Sequence, residues 1–258
     1  MKTPTITALM ALALAGPSML EAATLSLVTL TNPPEETVPA GGSDYVSSIH
    51  AGQTFYVAIP YAAGAWASPE ATDYFEVSTF LLSSGGTSTV SFSFYTATDS
   101  GDSLSSITEL SGLTAGTASV MEAVAVQPND PGNTAIAGVT AQIEYPNLTG
   151  NPFASISNGM MWLGITNTGS NTVSYYTGDP LGLGSPAPAY AFGAPFDTEA
   201  TALLERTYTY EQNGTFATSN ANVHPYITID AVTVPEPATG LLAGFAVAGC
   251  LLLRRRSA

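Results

Sequence analysis

The chain has 258 residues, 45% of them hydrophobic and only 10% charged, with 20 acids against 5 Lys and Arg and a formal net charge of −15 at pH 7. A surface this acidic repels polyanions, which excludes direct nucleic-acid binding and leaves anionic lipid or polyanionic sugar as partners only through a bridging divalent cation. The single cysteine, Cys250, excludes a disulfide framework within the chain, so an exported body must be held by packing and any bound ions.

The opening stretch "MKTPTITALMALALAGPSMLEAATLSL" places one cation, Lys2, before an apolar run from Ile6 to Ala15, followed by Pro17 and small residues at Ala22 and Ala23. This is the order of a secretory signal peptide. The run is about ten residues against the ~17–25 of a spanning helix. Residues 1–23 are therefore expected to be removed by signal peptidase. The body, residues 24–234, carries eighteen acids against Arg206 alone, a net charge near −17.

Short alternating runs between turn signals recur through the body, the pattern of an all-β domain. Strands are expected at Thr24–Leu30 and Thr54–Ile59 and in "DYFEVSTFLL", where Phe75, Val77, Thr79 and Leu81 share one side. "TVSFSFYTAT" alternates more clearly, with Val90, Phe92 and Phe94 on one face and Ser91, Ser93 and Tyr95 on the other. The turn "SSGGTS" between these two predicts a hairpin. Further strands are expected at Ser119–Val126, Gly138–Tyr145, Met160–Thr166, Thr172–Thr177 and Pro225–Val234. "TNPPEETVPAGGSDYVSS" and "GDPLGLGSPAPAYAFGAPF" read as surface loops, and "TEATALLERTYTY" (Thr198–Tyr210) as an ambiguous stretch that could open with a helical turn. Nine strands at this spacing predict a two-sheet, jelly-roll-like β-sandwich.

The chain closes on "TVPEPATGLLAGFAVAGCLLLRRRSA". Ala238 to Leu253 is uncharged and, as a helix, about 24 Å long against a hydrocarbon core of about 30 Å. It spans only with local thinning of the bilayer or help from its flanks. Arg254, Arg255 and Arg256 come at once after it, and such a cluster stays on the cytoplasmic side, which puts the body outside the cytoplasm. Pro235-Glu236-Pro237, a short transmembrane helix at 238–253 and the basic tail 254–256 together resemble the bacterial PEP-CTERM sorting signal. That resemblance implies a substrate of exosortase, a membrane-embedded cysteine transpeptidase-like enzyme thought to recognise Pro235, Glu236 and Pro237 and remove the helix. It further implies delivery to the cell surface, outer envelope or extracellular matrix of a Gram-negative-type bacterium that makes exopolysaccharide. The alternative is a plain C-terminal anchor in which proline merely begins the helix.

"MMWLGITNTGSNTVSYYTG" and "PYITIDAVTVPEP" also resemble the choice-of-anchor domains, β-sandwiches found in such proteins. Their biochemical function is undefined, so this resemblance carries no active-site residues.

Chemistry is sparse. There is no G-x-S-x-G elbow, H-E-x-x-H or C-x-x-C, and His50 and His224 have no partner suggested by spacing. Glu70, Asp73 and Glu76 lie close in sequence, but two nearby acids in so acidic a chain carry little meaning as a glycosidase pair. "TDSGDS" with Asp99 and Asp102, and "PNDPGN" with Asp130, offer hard oxygens to calcium; both are also ordinary turn compositions. For sugar stacking the candidates are Trp66, in a loop, and Tyr175 and Tyr176, next to each other on a strand. The expectation is a non-enzymatic exported protein associated with exopolysaccharide and without an obligate cofactor. The alternative is a carbohydrate-binding lectin or carbohydrate-active enzyme of the same fold.

Overall fold

A computed structural model describes residues 23–30, 37–38, 46–60, 73–97, 106–122, 125–127, 130–135, 138–145, 152–156, 160–176, 190–192, 207–210, 216–218 and 226–234. By internal contacts the chain divides into Thr24–Thr233 and a second unit made of Met1–Ala23 and Val234–Ala258. Of the second unit only Ala23 and Val234 are described.

The first unit is all-β. Its strands are β1 (Ala23–Leu30), β2 (Thr37–Val38), β3 (Val46–Ile49), β4 (Thr54–Pro60), β5 (Tyr74–Ser83), β6 (Ser88–Ala97), β7 (Ile107–Glu109), β8 (Gly116–Val120) and β9 (Ala125–Gln127). They continue with β10 (Asp130–Ala135), β11 (Gly138–Glu144), β12 (Met160–Asn167), β13 (Val173–Tyr176), β14 (Tyr190–Phe192), β15 (Thr207–Tyr210), β16 (Phe216–Thr218) and β17 (Ile227–Thr233). Pro152–Ser155 forms a single 3-10 turn. Sheet I has seven strands in the order β14-β1-β17-β5-β13-β3, with β11 also on β5; sheet II has seven in the order β16-β15-β4-β12-β6-β7, with β8 also on β6. A third, three-stranded sheet has the order β2-β10-β9.

Alternation in the sequence decides which side chains face inward. In β5 Phe75, Val77, Thr79 and Leu81 are buried while Tyr74, Glu76, Ser78 and Phe80 are half-buried. In β6 Val90, Phe92 and Phe94 are buried, and one core joins these residues to Ile227 and Ile229 of β17 and Leu163 and Ile165 of β12. The sheets meet through their aromatic rings: Phe75 stands edge-on to Phe94 at 5.4 Å, and Phe55 of β4 stacks on Tyr175 of β13 at 3.9 Å. Such pairs add roughly 0.5–1.5 kcal/mol each beyond their buried area.

β5 and β6 are not a hairpin. β5 pairs with β11, β17 and β13, and β6 with β12, β7 and β8, so "SSGGTS" carries the chain from one sheet to the other. Gly85 and Gly86, at φ of 84° and 116°, supply the left-handed backbone this crossing needs. Both inner faces look into the same core, which is why the alternation reads identically in the two arrangements. The expected strand "SVMEAVAV" is likewise split, into the end of β8 and β9. Short strands β2, β3 and β14 occupy the two stretches read as loops, and β15 ends the ambiguous stretch.

One polar side chain ties the two sheets at their rim. Asn167, fully buried at the end of β12, accepts at Oδ1 from Ser88 Oγ and the Gly169 amide, both at 3.1 Å. Its Nδ2 donates to the carbonyls of Ile49 and Asn171, both at 2.8 Å. Ile49 belongs to sheet I and Ser88 to sheet II. Gly169 completes the knot: a Cβ there would lie 2.1 Å from Ser88 Oγ and 2.7 Å from the Thr89 amide nitrogen. Replacing Asn167 with Ala strands buried carbonyls, and thermal unfolding is expected to show a loss on the order of 3 kcal/mol. Gly169→Ala, forced against backbone, is expected to lose on the order of 2 kcal/mol in the same measurement.

Candidate processing site at the end of the last strand

The last strand is built to be permanent up to its final residues. "YITIDAVT" alternates β-branched and small residues, so Ile227, Ile229 and Ala231 enter the core while Thr228 and Asp230 stay half-buried on the other face. β17 lies between β1 and β5, and its pairing with β5 runs in register from Ile227↔Thr79 to Val232↔Tyr74. Thr79 Oγ1 donates to the Tyr226 carbonyl at 2.8 Å and fixes the strand's entry. At its exit the Asp73 amide donates to the Val232 carbonyl at 2.9 Å, and the Tyr145 amide to the Asp73 carbonyl at 2.9 Å. Thr233 is half-buried; Val234 is 49% exposed. The chain thus passes from core to surface within two residues, immediately before Pro235.

Residues 233–256 match the PEP-CTERM protein-sorting motif. The motif marks an exported protein that exosortase processes, and it begins at Thr233, the last residue of β17. No curated protein matches the chain. Among solved structures, one of infectious bursal disease virus Gx strain aligns at 10% identity over 82% of this chain and 39% of its own, with a TM-score of 0.16. The chain therefore spans well under half of that viral chain, and so low a score carries no argument about fold or function.

Pro235, Glu236 and Pro237, the segment 238–253 and Arg254, Arg255 and Arg256 lie outside the described residues, as do residues 1–22, Trp66, Asp99 and Asp102. Among the described residues no helix is long and apolar enough to cross a membrane. Asp130 opens β10 opposite Gln127, and Tyr176 ends β13 opposite Val46; their side chains are outside the description. Tyr175 is corrected. Its ring is 1% exposed and lies flat on Phe55 in the core, so it offers no face to a sugar. Adjacent residues of a strand point to opposite faces, and here Tyr175 takes the inner one.

His50 is exposed, with Nδ1 3.3 Å from Thr172 Oγ1, and no acid is placed beside it by this contact. Asp73 caps β5, whereas Glu76 sits mid-strand across from Asp230 on one side and Gln142 on the other. Among the described residues no three His, Cys, Asp or Glu side chains are grouped to hold a metal ion.

Sequence reasoning missed a second buried cluster, on the outer face of sheet II. Tyr56, Ala58, Ala97, Met160 and Trp162 gather there, with Tyr95 and Ile107 packed against them. The signal was present in "MMWLGIT": with Met161, Leu163 and Ile165 facing the core, Met160 and Trp162 must face the other way, and they are apolar too. Gly164 is the floor of this face. A Cβ there would come within 2.4 Å of Tyr95 Cε2, so glycine lets the Tyr95 ring lie across β12. The ring stands edge-on to Tyr56 at 5.2 Å, and beyond it Thr54 and Thr166 share a 2.8 Å hydroxyl contact.

Burial, and secondarily the Glu109 carboxylate, push the Tyr95 phenol above its ordinary 10.0, with hydrogen bonds to Ser93 and Thr166 pulling the other way. Below pH 10.0 the folded and unfolded chains both carry the neutral phenol; above it the unfolded chain ionises first, so this stability is lost as pH rises through the raised folded value. Tyr95→Phe is expected to lose less stability than the native chain between about pH 8 and about pH 11, compared by melting temperature.

Proposed function

We propose that this chain is a non-enzymatic, exported surface or matrix protein whose body is delivered by its C-terminal tail and then separated from it. In this reading signal peptidase removes residues 1–23. The segment 238–253 holds the chain in the inner membrane with Arg254, Arg255 and Arg256 on the cytoplasmic side, and exosortase acts at Pro235-Glu236-Pro237. The delivered body is residues 24–234, a jelly-roll-like sandwich of the choice-of-anchor kind. It associates with exopolysaccharide at the cell surface, in the outer envelope or in the extracellular matrix. The observation that carries the reading is the junction: the sorting motif starts on the last residue of the strand that completes the body.

The charge of the body narrows the association. A net charge near −17 favours neutral glycan, or acidic glycan bridged by a divalent cation, over direct contact with a polyanion. Asp99, Asp102 and Asp130 are the oxygen donors for such an ion. A lectin reading now rests on Trp66 and Tyr176, because Tyr175 belongs to the core.

The reading is checked by mass spectrometry of the protein recovered from cells with and without exosortase. A mature chain ending near Pro235–Pro237 is expected only where the enzyme is present. Pro235→Ala with Pro237→Ala is expected to leave the tail attached; recovery of a chain still ending at Ala258 from exosortase-containing cells would refute the proposal.

A further inference from the structure

We propose that the outward face of sheet II around Tyr95 is a binding platform for a neutral polysaccharide, which lies across β4, β12, β6 and β8. This rests on the glycan reading above for the class of partner, while the choice of face rests on the structure alone.

Strand register puts four hydroxyls in one row. Thr54 of β4 stands opposite Thr166 of β12, Thr166 opposite Ser91 of β6, and Ser91 opposite Thr117 of β8. Their neighbours Phe55, Ile165 and Phe92 enter the core, so the row faces outward. At roughly 4.8 Å for each of its strand spacings the row is about 14 Å long. It runs from buried Thr54, through half-buried Thr166 and Ser91, to exposed Thr117. Thr89 and Ser119, an opposed pair farther along the same face, are exposed as well.

Beside this row lies an aromatic ring held in place. Tyr95 is half-buried, crosses β12 at Gly164, stands edge-on to Tyr56, and hydrogen-bonds with Ser93 and Thr166. The bond with Thr166 ties the ring to the hydroxyl row. A ring fixed on several sides loses little freedom when a sugar packs against it, so its apolar surface and the neighbouring hydroxyls act together.

Charge decides the class of partner. The outward positions described on β4, β12, β6 and β8 are Ser, Thr, Gly, Ala, Pro, Met, Trp and Tyr, with no charged residue among them. The body around them is near −17, and the outward face of sheet I shows the contrast. There Asp230, Glu76 and Gln142 form one row across β17, β5 and β11, with two carboxylates directly opposed. Such a face repels a polyanion or a second acidic copy of the chain. On sheet II the nearest carboxylate across the register is Glu109 of β7, opposite Tyr95 at the border. A neutral sugar chain meets donors and acceptors in the hydroxyl row with no charge to strip of water.

The test is affinity electrophoresis of the full chain, as recovered from the cells that make it, through native gels. The gels hold hydroxyethylcellulose, laminarin, dextran or galactomannan, or alginate with and without calcium as the acidic probe. One or more of the neutral polymers is expected to retard the native chain without calcium. Thr117→Asp and Ser91→Asp, each of which puts a carboxylate into the row, are expected to weaken that retardation about tenfold. Thr140→Asp, on the exposed outward face of sheet I, is expected to leave it unchanged. Thr117 is exposed, so its variant is expected to keep the native melting temperature, which separates lost binding from lost structure. Retardation by a neutral polymer that survives both platform substitutions would overturn the site and leave the glycan reading standing. No retardation by any polymer would refute both. Retardation by alginate with calcium alone would overturn the neutral platform in favour of a cation-bridged partner, and a dimer that Thr117→Asp dissociates would assign the face to a second copy and overturn it too.

Discussion

Strand β17 joins the end of the body to its beginning. It lies between β1, the first of the described strands, and β5, which also pairs with β11 and β13. Remove it and sheet I separates into two parts, the inner face loses Ile227 and Ile229, and the core around Phe75 and Phe94 loses part of the layer that confines it. The pairing with β5 is thus a constraint on the whole body, since contacts this distant in sequence form only once the chain through Val232 is present. The sorting motif is placed directly after this constraint is satisfied.

A polar arrangement at the rim of the sandwich works alongside it. With no disulfide to close it, the sandwich uses Asn167, whose four side-chain hydrogen bonds reach β3 in one sheet and β6 in the other. A buried amide satisfied on both its oxygen and its nitrogen is stabilising and directional, and it fixes how the two sheets align. Aromatic stacking of Phe55 on Tyr175 adds a second tie between the same two sheets. A body without cysteine is held by packing and by polar side chains of this kind.

How much of the fold was legible in the sequence depended on the length of each run. β5 and β6 are long enough for period-two alternation to show, and their inner faces were readable residue by residue. Alternation says which face is buried, not which sheet the strand joins, so the hairpin expected across "SSGGTS" proved to be a crossing between sheets. Strands of two to four residues such as β2, β3 and β14 have no period to read and take their place from their neighbours. Two tyrosines in a row, Tyr175 and Tyr176, identify opposite faces without identifying the inner one, and the inner one is Tyr175. β12 is buried on both faces, so its apolar run puts Trp162 opposite Met161 and Leu163 without showing which residues of other strands it joins. The sorting signal was legible throughout, because its meaning lies in residue order and not in tertiary packing.

β17 lies inside sheet I, between β1 and β5, and belongs to the body as firmly as any internal strand. Native-state hydrogen exchange measured on the chain with and without residues 235–258 tests this most directly. The amides of Ile227 to Val232 engaged in strand pairing are expected to exchange among the slowest of the body, at equal rates in both forms. Exchange in this strand as fast as at an exposed edge, or protection that disappears when residues 235–258 are absent, would contradict an internal β17 held by its pairing with β5.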